Sequence, residues 1–249
     1  MLDFVFLVIG GVVAGIINTL AGNGSVITLS LCTEMIGLSP SVANGTNRLG
    51  VLTQSISGAA TLYKNKRLIL KNTWPAIITV ITGAVFGIGL AVVLDESSFK
   101  KLYPWFLLFI FIILLLKPEK WIHEQKEIKA EYPLYIYPIL FLIGVYGGLI
   151  QVGVGVFFLA ALILLGQHPW KNANNAKIVV VGMFTVIAVI VFGFTGHIHL
   201  STAIALAIGQ TAGAWIAAMY FTHHKQARKI SYYILLTVTG YTLLKNFIF

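Results

Sequence analysis

Charge is scarce in this chain, and acid is scarcest. Of 249 residues only 10% are charged, and just 8 are Asp or Glu. A soluble domain carries about 25% charged residues, so this chain has too few to dress a water-facing surface. Cys32 is the one cysteine, which excludes an intrachain disulfide and any CxxC metal or redox motif. No GxxxxGK loop followed by Ser or Thr is present, so ATP hydrolysis is not expected to power anything here. Cys32, Ser25 and the 6 histidines show no nucleophile–base spacing, and the chain reads as a non-enzyme. His197-x-His199 lacks a third ligand; no metal and no cofactor are expected. A cleavable signal is not expected either, because Asp3 stands where a basic region belongs and the apolar run that follows is too long.

What is present is apolar length. Hydrophobic residues make up 58% of the chain, and they fall into runs near the roughly 20 residues that span a bilayer. The segments are 4–36 broken near 22–24, 41–63, 73–94, 102–117, 133–166 broken near 153–155, 171–195, 199–222 and 230–248. The net charge of +9 sits in short loops, with Lys64, Lys66, Arg67 and Lys71 in one and Lys225, Arg228 and Lys229 in another. Such loops touch lipid headgroups and set orientation, but are too short for a nucleic-acid surface. Trp74, Trp105, Trp121, Tyr132, Tyr135 and Tyr137 are expected to anchor at the interface.

The positive-inside rule puts loops 64–72 and 223–229 in the cytoplasm, and loop 95–101 and the turn around Gly196–His199 outside. Both basic loops share a side only if each broken segment is a hairpin that enters and leaves on one face. The expectation is therefore an all-α polytopic membrane protein of two inverted-topology repeats. Each repeat is a glycine-broken helical hairpin followed by three transmembrane helices. Residues 1–117 form the first repeat, 118–132 a charged cytoplasmic linker and 133–249 the second. The lipid partner is the cell (plasma or inner) membrane, with both termini outside.

The same device occurs twice, about 130 residues apart. Gly11/Gly15, Asn18, Thr19 and Gly22-Asn23-Gly24-Ser25 are matched by Gly144/Gly148, Gln151, Gly153 and Gly155. The turn Gly37-Leu38-Ser39-Pro40 is matched by Gly166-Gln167-His168-Pro169. Asn44, Thr46, Asn47 and Arg48 are matched by Asn174, Asn175 and Lys177. Glycine-broken apolar segments in matching positions of two halves point to a transporter's substrate site. Irregular backbone at membrane depth must face protein or a watery cavity. A helix restarting after a break offers free N–H groups to an anion, and Ser25 suits the N-cap of the first restart where the second copy has Val156. Arg48 and Lys177 have no evident carboxylate partner, so a substrate anion is their natural counter-charge. The expected site gathers backbone N–H groups, these amides and the two cations around a small anion. Gly11/Gly15, Gly83/Gly87 and Gly144/Gly148 read as close-packing pairs, Asn18 and Gln210 equally as interhelical hydrogen-bonding residues. Glu34 reads as interfacial and Cys32 as a small apolar filler.

At these residues the chain resembles the sulfite exporter TauE/SafE family along nearly its whole length. The glycine-broken segments, the Gly-x-x-Pro turns and the elements Ala43-Asn44-Gly45-Thr46-Asn47-Arg48 and Ala173-Asn174-Asn175-Ala176-Lys177 carry the resemblance. It implies a multipass permease that exports sulfite or organosulfonates such as sulfoacetate. The chain departs from the family pattern in its short run Gly22-Asn23-Gly24-Ser25, in Ser30 where a proline is common, and in Gly45-Thr46-Asn47. The expected activity is secondary active transport, with a coupling proton and a homodimer as partners to be tested. An anion channel or a non-transporting membrane subunit is the alternative.

Overall fold

The computed structural model describes residues 2–93 and 132–222 continuously, with 97, 105, 108, 111–112, 115, 226, 229–230, 232–233, 236–237, 240–241 and 243–244. The expected segments 102–117 and 230–248, linker 118–132 and loops 95–101 and 223–229 lie wholly or largely outside the described residues. All regular structure among the described residues is helical.

α1 (Leu2–Leu20) ends at the first break, and α2 (Ser25–Ser30) restarts after it, widening into a π-turn over Leu31–Met35. α3 (Pro40–Lys64) and α4 (Trp74–Val93) follow. The second copy runs α5 (Ile136–Ile150), α6 (Val154–Ala160) with a π-turn over Ala161–Leu165, α7 (Trp170–Phe194) and α8 (Leu200–Ile216) with a π-turn over Ala217–Phe221. The repeat extends to the backbone. Pro40 and Lys64 bound α3, Trp170 and Phe194 bound α7, a shift of 130 at both ends. The two hairpin π-turns keep the same shift, and so do the left-handed residues Gly37 and Gln167, and Lys66 and Gly196. Ser39 starts α3 as a cap, its Oγ accepting from the Val42 N–H at 3.5 Å ahead of Pro40 in the first turn.

Both broken segments are hairpins. A side chain at Gly10, well before the first break, would collide with Leu31, well after it. In the second copy Gly166, which ends the return arm, lies against the Tyr132 ring ahead of α5, and His168 stacks on that ring at 5.1 Å. Tyr132, expected as an interface anchor, packs half-buried at the hairpin neck; Trp74 and Tyr135 stay exposed. The return arms, Ser25–Met35 and Val154–Leu165, are about 16–18 Å long at ~1.5 Å per residue, roughly half of a ~30 Å hydrocarbon core.

Glycine sets how the copies dock. Side chains on Gly209 and Gly213 of α8 would strike the backbone carbonyls of Val8 and Val12 on α1, and Gly15 faces Gln210 in return. Gly83 and Gly87 of α4 meet the carbonyls of Phe141 and Val145 on α5, while Gly144 and Gly148 meet those of Val80 and Ala84. In hydrocarbon, helices associate by van der Waals packing, and absent side chains let backbones approach. These registers make α1 parallel to α8 and α4 parallel to α5. Across α3 and α7, Gly58 faces Ile178 and Gly182 faces Ser55, while Asn175 Nδ2 donates to the Arg67 carbonyl at 2.8 Å. α3 and α7 therefore run antiparallel. The three expected glycine pairs pack as helix contacts; Gly209/Gly213 completes the set.

Polarity is inside out. Phe6, Ile78, Phe86, Leu142, Ile190 and Ile208 point outward and exposed, whereas Asn44, Asn47, Arg48, Gln54 and Lys177 are buried. Leu2–Leu20, Trp74–Val93, Trp170–Phe194 and Leu200–Phe221 are long and apolar enough to cross a membrane. α3 is as long as α7, but its inner face is polar. Glu34 is exposed and Cys32 is buried among Leu7, Ala43, Ala205 and Leu206, both as expected.

Gly87→Leu drives a side chain into the Val145 carbonyl and is expected to cost about 1–3 kcal/mol or more by overpacking, read as a lower melting midpoint in detergent. Gly89 has open space around it, so Gly89→Ala is expected to melt no lower than wild type. A pH effect is expected at the neck. Asn172 Nδ2, already donating to the Lys71 carbonyl at 2.9 Å, also donates to His168 Nδ1 at 3.1 Å. Burial pushes the His168 pKa below its ordinary value of 6.5. As pH falls the unfolded chain then takes up the proton first, so this stability is present above about 6.5 and lost as pH drops through the folded value. Melting midpoints measured from pH 7.5 to about 5 should fall, and should fall less in His168→Gln.

Candidate anion site where the hairpins meet

The two breaks touch. Gly22 lies against Gly155, so that a side chain on either would overlap the other's backbone. Gly22 has φ +89 and Gly153 φ +70, conformations open to glycine. Each break is held by its own copy. In the first, the Gly24 N–H donates to Asn18 Oδ1 at 3.2 Å, and Asn18 Nδ2 lies 3.5 Å from Ser25 Oγ. Ser25, expected at the N-cap, is instead the first residue of α2, and Gly24 stands at the N-cap without a side-chain cap. In the second, the Tyr146 hydroxyl donates to the Val152 carbonyl at 2.5 Å.

The buried cations belong to the opposite copy. Arg48 on α3 donates from Nη1 to the Gly147 carbonyl at 2.9 Å and to Gln151 Oε1, and from Nη2 to the Gly148 carbonyl at 2.8 Å. Its guanidinium also lies 5.4 Å from the centre of the Phe192 ring. Neighbouring Asn44 gives Nδ2 to the Leu149 carbonyl at 3.0 Å. Together they satisfy the C-terminal carbonyls of α5. Lys177 on α7 does the same for α1, with Nζ 2.8 Å from the carbonyls of both Asn18 and Thr19. Expected to face an anion for want of a carboxylate, the two cations instead occupy the negative ends of two interrupted helices. Arg48 is 0% and Lys177 2% exposed.

Their remaining capacity differs. An ammonium has three donors, and Lys177 gives two to carbonyls, leaving one. Around that ammonium lies a cavity of about 20 Å³ lined from both copies, by Asn18, Thr19, Gly22 and Gln54 on one side and Gln151 and Gly155 on the other. Ser55, Val154, Ile178 and Val181 complete the wall. Gln54 Oε1 is buried without a partner. This space holds about one water.

Of the expected site residues, Asn18, Thr19, Gly22, Gln151, Gly155 and Lys177 share this cavity. Asn23, Gly24, Ser25 and Gly153 shape the breaks. Asn44 and Arg48 cap α5. Asn47 Oδ1 joins α2 to α8, accepting from Thr28 Oγ1 at 2.7 Å and Gln210 Nε2 at 3.2 Å. Thr46 Oγ1 accepts from the His199 N–H at 2.9 Å. Asn174 and Asn175 line a different pocket, near the α3–α4 turn. Ser55 and Tyr146 carried no motif. Ser55 was nonetheless findable, since Asn44, Asn47, Arg48, Val51, Gln54 and Ser55 repeat at helical spacing on one face.

A sequence profile described as sulfite exporter TauE/SafE matches residues 7–243. The chain belongs to that family. Among curated relatives, a probable membrane transporter protein of Haemophilus influenzae is 30% identical over 68% of this chain and 66% of its own length, just under two thirds. The probable membrane transporter protein ORF9 of a Sinorhizobium species is 28% identical over 86% and 82%, and YunE of Bacillus subtilis, likewise called a probable membrane transporter protein, 26% over 87% and 88%. No solved structure matches. This TauE/SafE member is thus a membrane transporter by family and a multipass helical protein by fold.

Arg48→Leu in this TauE/SafE protein strips donors from two buried carbonyls and Gln151. With each orphaned group worth about 1–3 kcal/mol, a lower melting midpoint and less monodisperse protein are expected from size-exclusion and thermal measurements. Arg48→Lys should rescue only partly, because a point ammonium does not reproduce the two-pronged guanidinium.

Proposed function

We propose that this protein is a secondary active transporter that carries one small anion through the meeting point of two inverted halves. The cargo is a sulfur oxyanion, sulfite or an organosulfonate such as sulfoacetate, moved outward across the cell membrane. Lys177 carries this reading: it is a buried cation with carbonyls for two of its donors and a third left beside a polar cavity. The Gln54 and Gln151 carboxamides and the Asn18–Thr19 segment complete a lining that both copies build.

A cavity for one water excludes an anion of four or more heavy atoms, so loading requires the hairpin tips to part. The Gly22–Gly155 contact, bare of side chains, is where they part, and the rigid frame is the glycine-packed pairs α1–α8 and α4–α5. In this reading the hairpins enter from opposite faces, the basic α3–α4 turn is cytoplasmic and both termini are outside. Among the described residues no Asp or Glu lines the cavity. A coupling proton is therefore assigned to the anion itself, as its conjugate weak acid, and not to a side-chain relay.

Purified protein in proteoliposomes should show saturable flux of sulfite or sulfoacetate over acetate, stimulated by a pH gradient. Gln54→Leu is expected to fold normally, since its oxygen bonds nothing, and to lower that flux by about tenfold or more, the scale of one lost polar contact to a charged ligand. Non-saturating flux would indicate a channel, and no flux of any anion from folded protein would overturn the reading.

A further inference from the structure

A second pocket, of about 260 Å³, opens at the first turn of α7 against the α3–α4 turn. Three cationic residues line it, Lys66 and Arg67 from the turn and Lys171 from α7. All three are exposed, whereas Asn174 beside them is 1% exposed, with neither its Oδ1 nor its Nδ2 hydrogen-bonded. A carboxamide with both ends unsatisfied is costly in a buried wall and calls for a ligand. The helix start adds to the argument. α7 has Pro169 before its first turn and no side-chain cap, whereas α3 has Ser39. The leading N–H groups of a 25-residue helix thus remain available to an anion.

The first copy does not repeat this arrangement. Asn44, which matches Asn174, spends its Nδ2 on the Leu149 carbonyl. At the shift of 130 that relates α3 to α7, Gly196, His197 and Ser41 stand at the positions equivalent to this pocket's Lys66, Arg67 and Lys171. Among the described residues the cationic pocket is formed at one end of the repeat only. It also lies in line with the central cavity. Asn174 precedes Lys177 by three residues on one face of α7, about 4.5 Å along the axis. The packed side chains of Leu62, Ile178 and Ala218 divide the two spaces, Leu62 lining the outer pocket and Ile178 the inner one.

We propose that this pocket is a second anion-binding site, a one-sided vestibule that takes a small oxyanion through Lys66, Lys171, the first turn of α7 and the Asn174 amide. Its part as a station on a transport path rests on the central-site reading; its binding of an oxyanion does not. The same chemistry suits a free oxyanion or the phosphate of an anionic lipid headgroup.

The test uses full-length protein in nanodiscs, with inorganic sulfate titrated at constant ionic strength and the melting midpoint recorded. In phosphatidylcholine discs, sulfate should raise the midpoint saturably in wild type and equally in Gln54→Leu. In Lys66→Gln/Lys171→Gln the half-saturating concentration should rise by about tenfold or more. Asn174→Leu should fold as well as wild type without sulfate and lose the same response. If phosphatidylglycerol discs alone raise the midpoint, and do so only while both lysines are present, the site holds and its occupant is the headgroup. A response that survives in the double variant, or is lost only in Gln54→Leu, or is absent from wild type with both sulfate and phosphatidylglycerol, overturns the proposal. A lysine-dependent response without any anion flux would sink the transporter reading alone, and flux without that response would sink this one alone.

Discussion

A helix that stops inside hydrocarbon leaves its last carbonyls without water to turn to, and the centre of this protein is organised around supplying them. α1 and α5 both end at the breaks. Lys177 serves the first and Arg48 with Asn44 the second. The donors come from the other copy in each case. Neither broken helix is therefore complete within its own half, and the halves are bound through their most polar groups at the point where lipid would tolerate them least. A buried cation is normally costly; here the interrupted helix dipole and its free carbonyls compensate it.

The outer frame follows a different rule. α1 lies along α8 and α4 along α5 with glycine against backbone, so contacts between copies are close, with the Phe86 and Phe141 rings meeting edge to face beside the α4–α5 glycines. Polar specificity at the centre and smooth glycine packing at the flanks divide the work. The flanks fix the spacing of the helices, while the tips meet backbone to backbone at Gly22 and Gly155.

Resemblance between the copies is closer in backbone than in chemistry. α3 and α7 match in length and in their flanking left-handed residues. Yet Asn44 caps a helix where Asn174 is unsatisfied, and the first break is latched by Asn18 where the second uses Tyr146. The two ends therefore share an architecture and differ in charge and in hydrogen bonding.

The sequence by itself determined the apolar spans, the two glycine breaks, the repeat and the helix-packing glycines. These depend on local composition and spacing, and hydrocarbon admits few backbone arrangements for such a chain. Net loop charge also pointed to hairpins, which the Gly10–Leu31 and Tyr132–His168 contacts bear out. The fate of the cations was not legible. Arg48 and the Gly147 carbonyl are 99 residues apart, and Lys177 and the Asn18 carbonyl 159. A backbone carbonyl has no signature in sequence, so a lysine or arginine without a nearby acid reads as unpaired. Only the tertiary structure decided that these cations close interrupted helices first, that one ammonium donor is left for the cavity, and that Asn174 stands apart from its counterpart Asn44. Those outcomes hinge on which carbonyls two distant segments bring within hydrogen-bonding reach, and packing alone sets that.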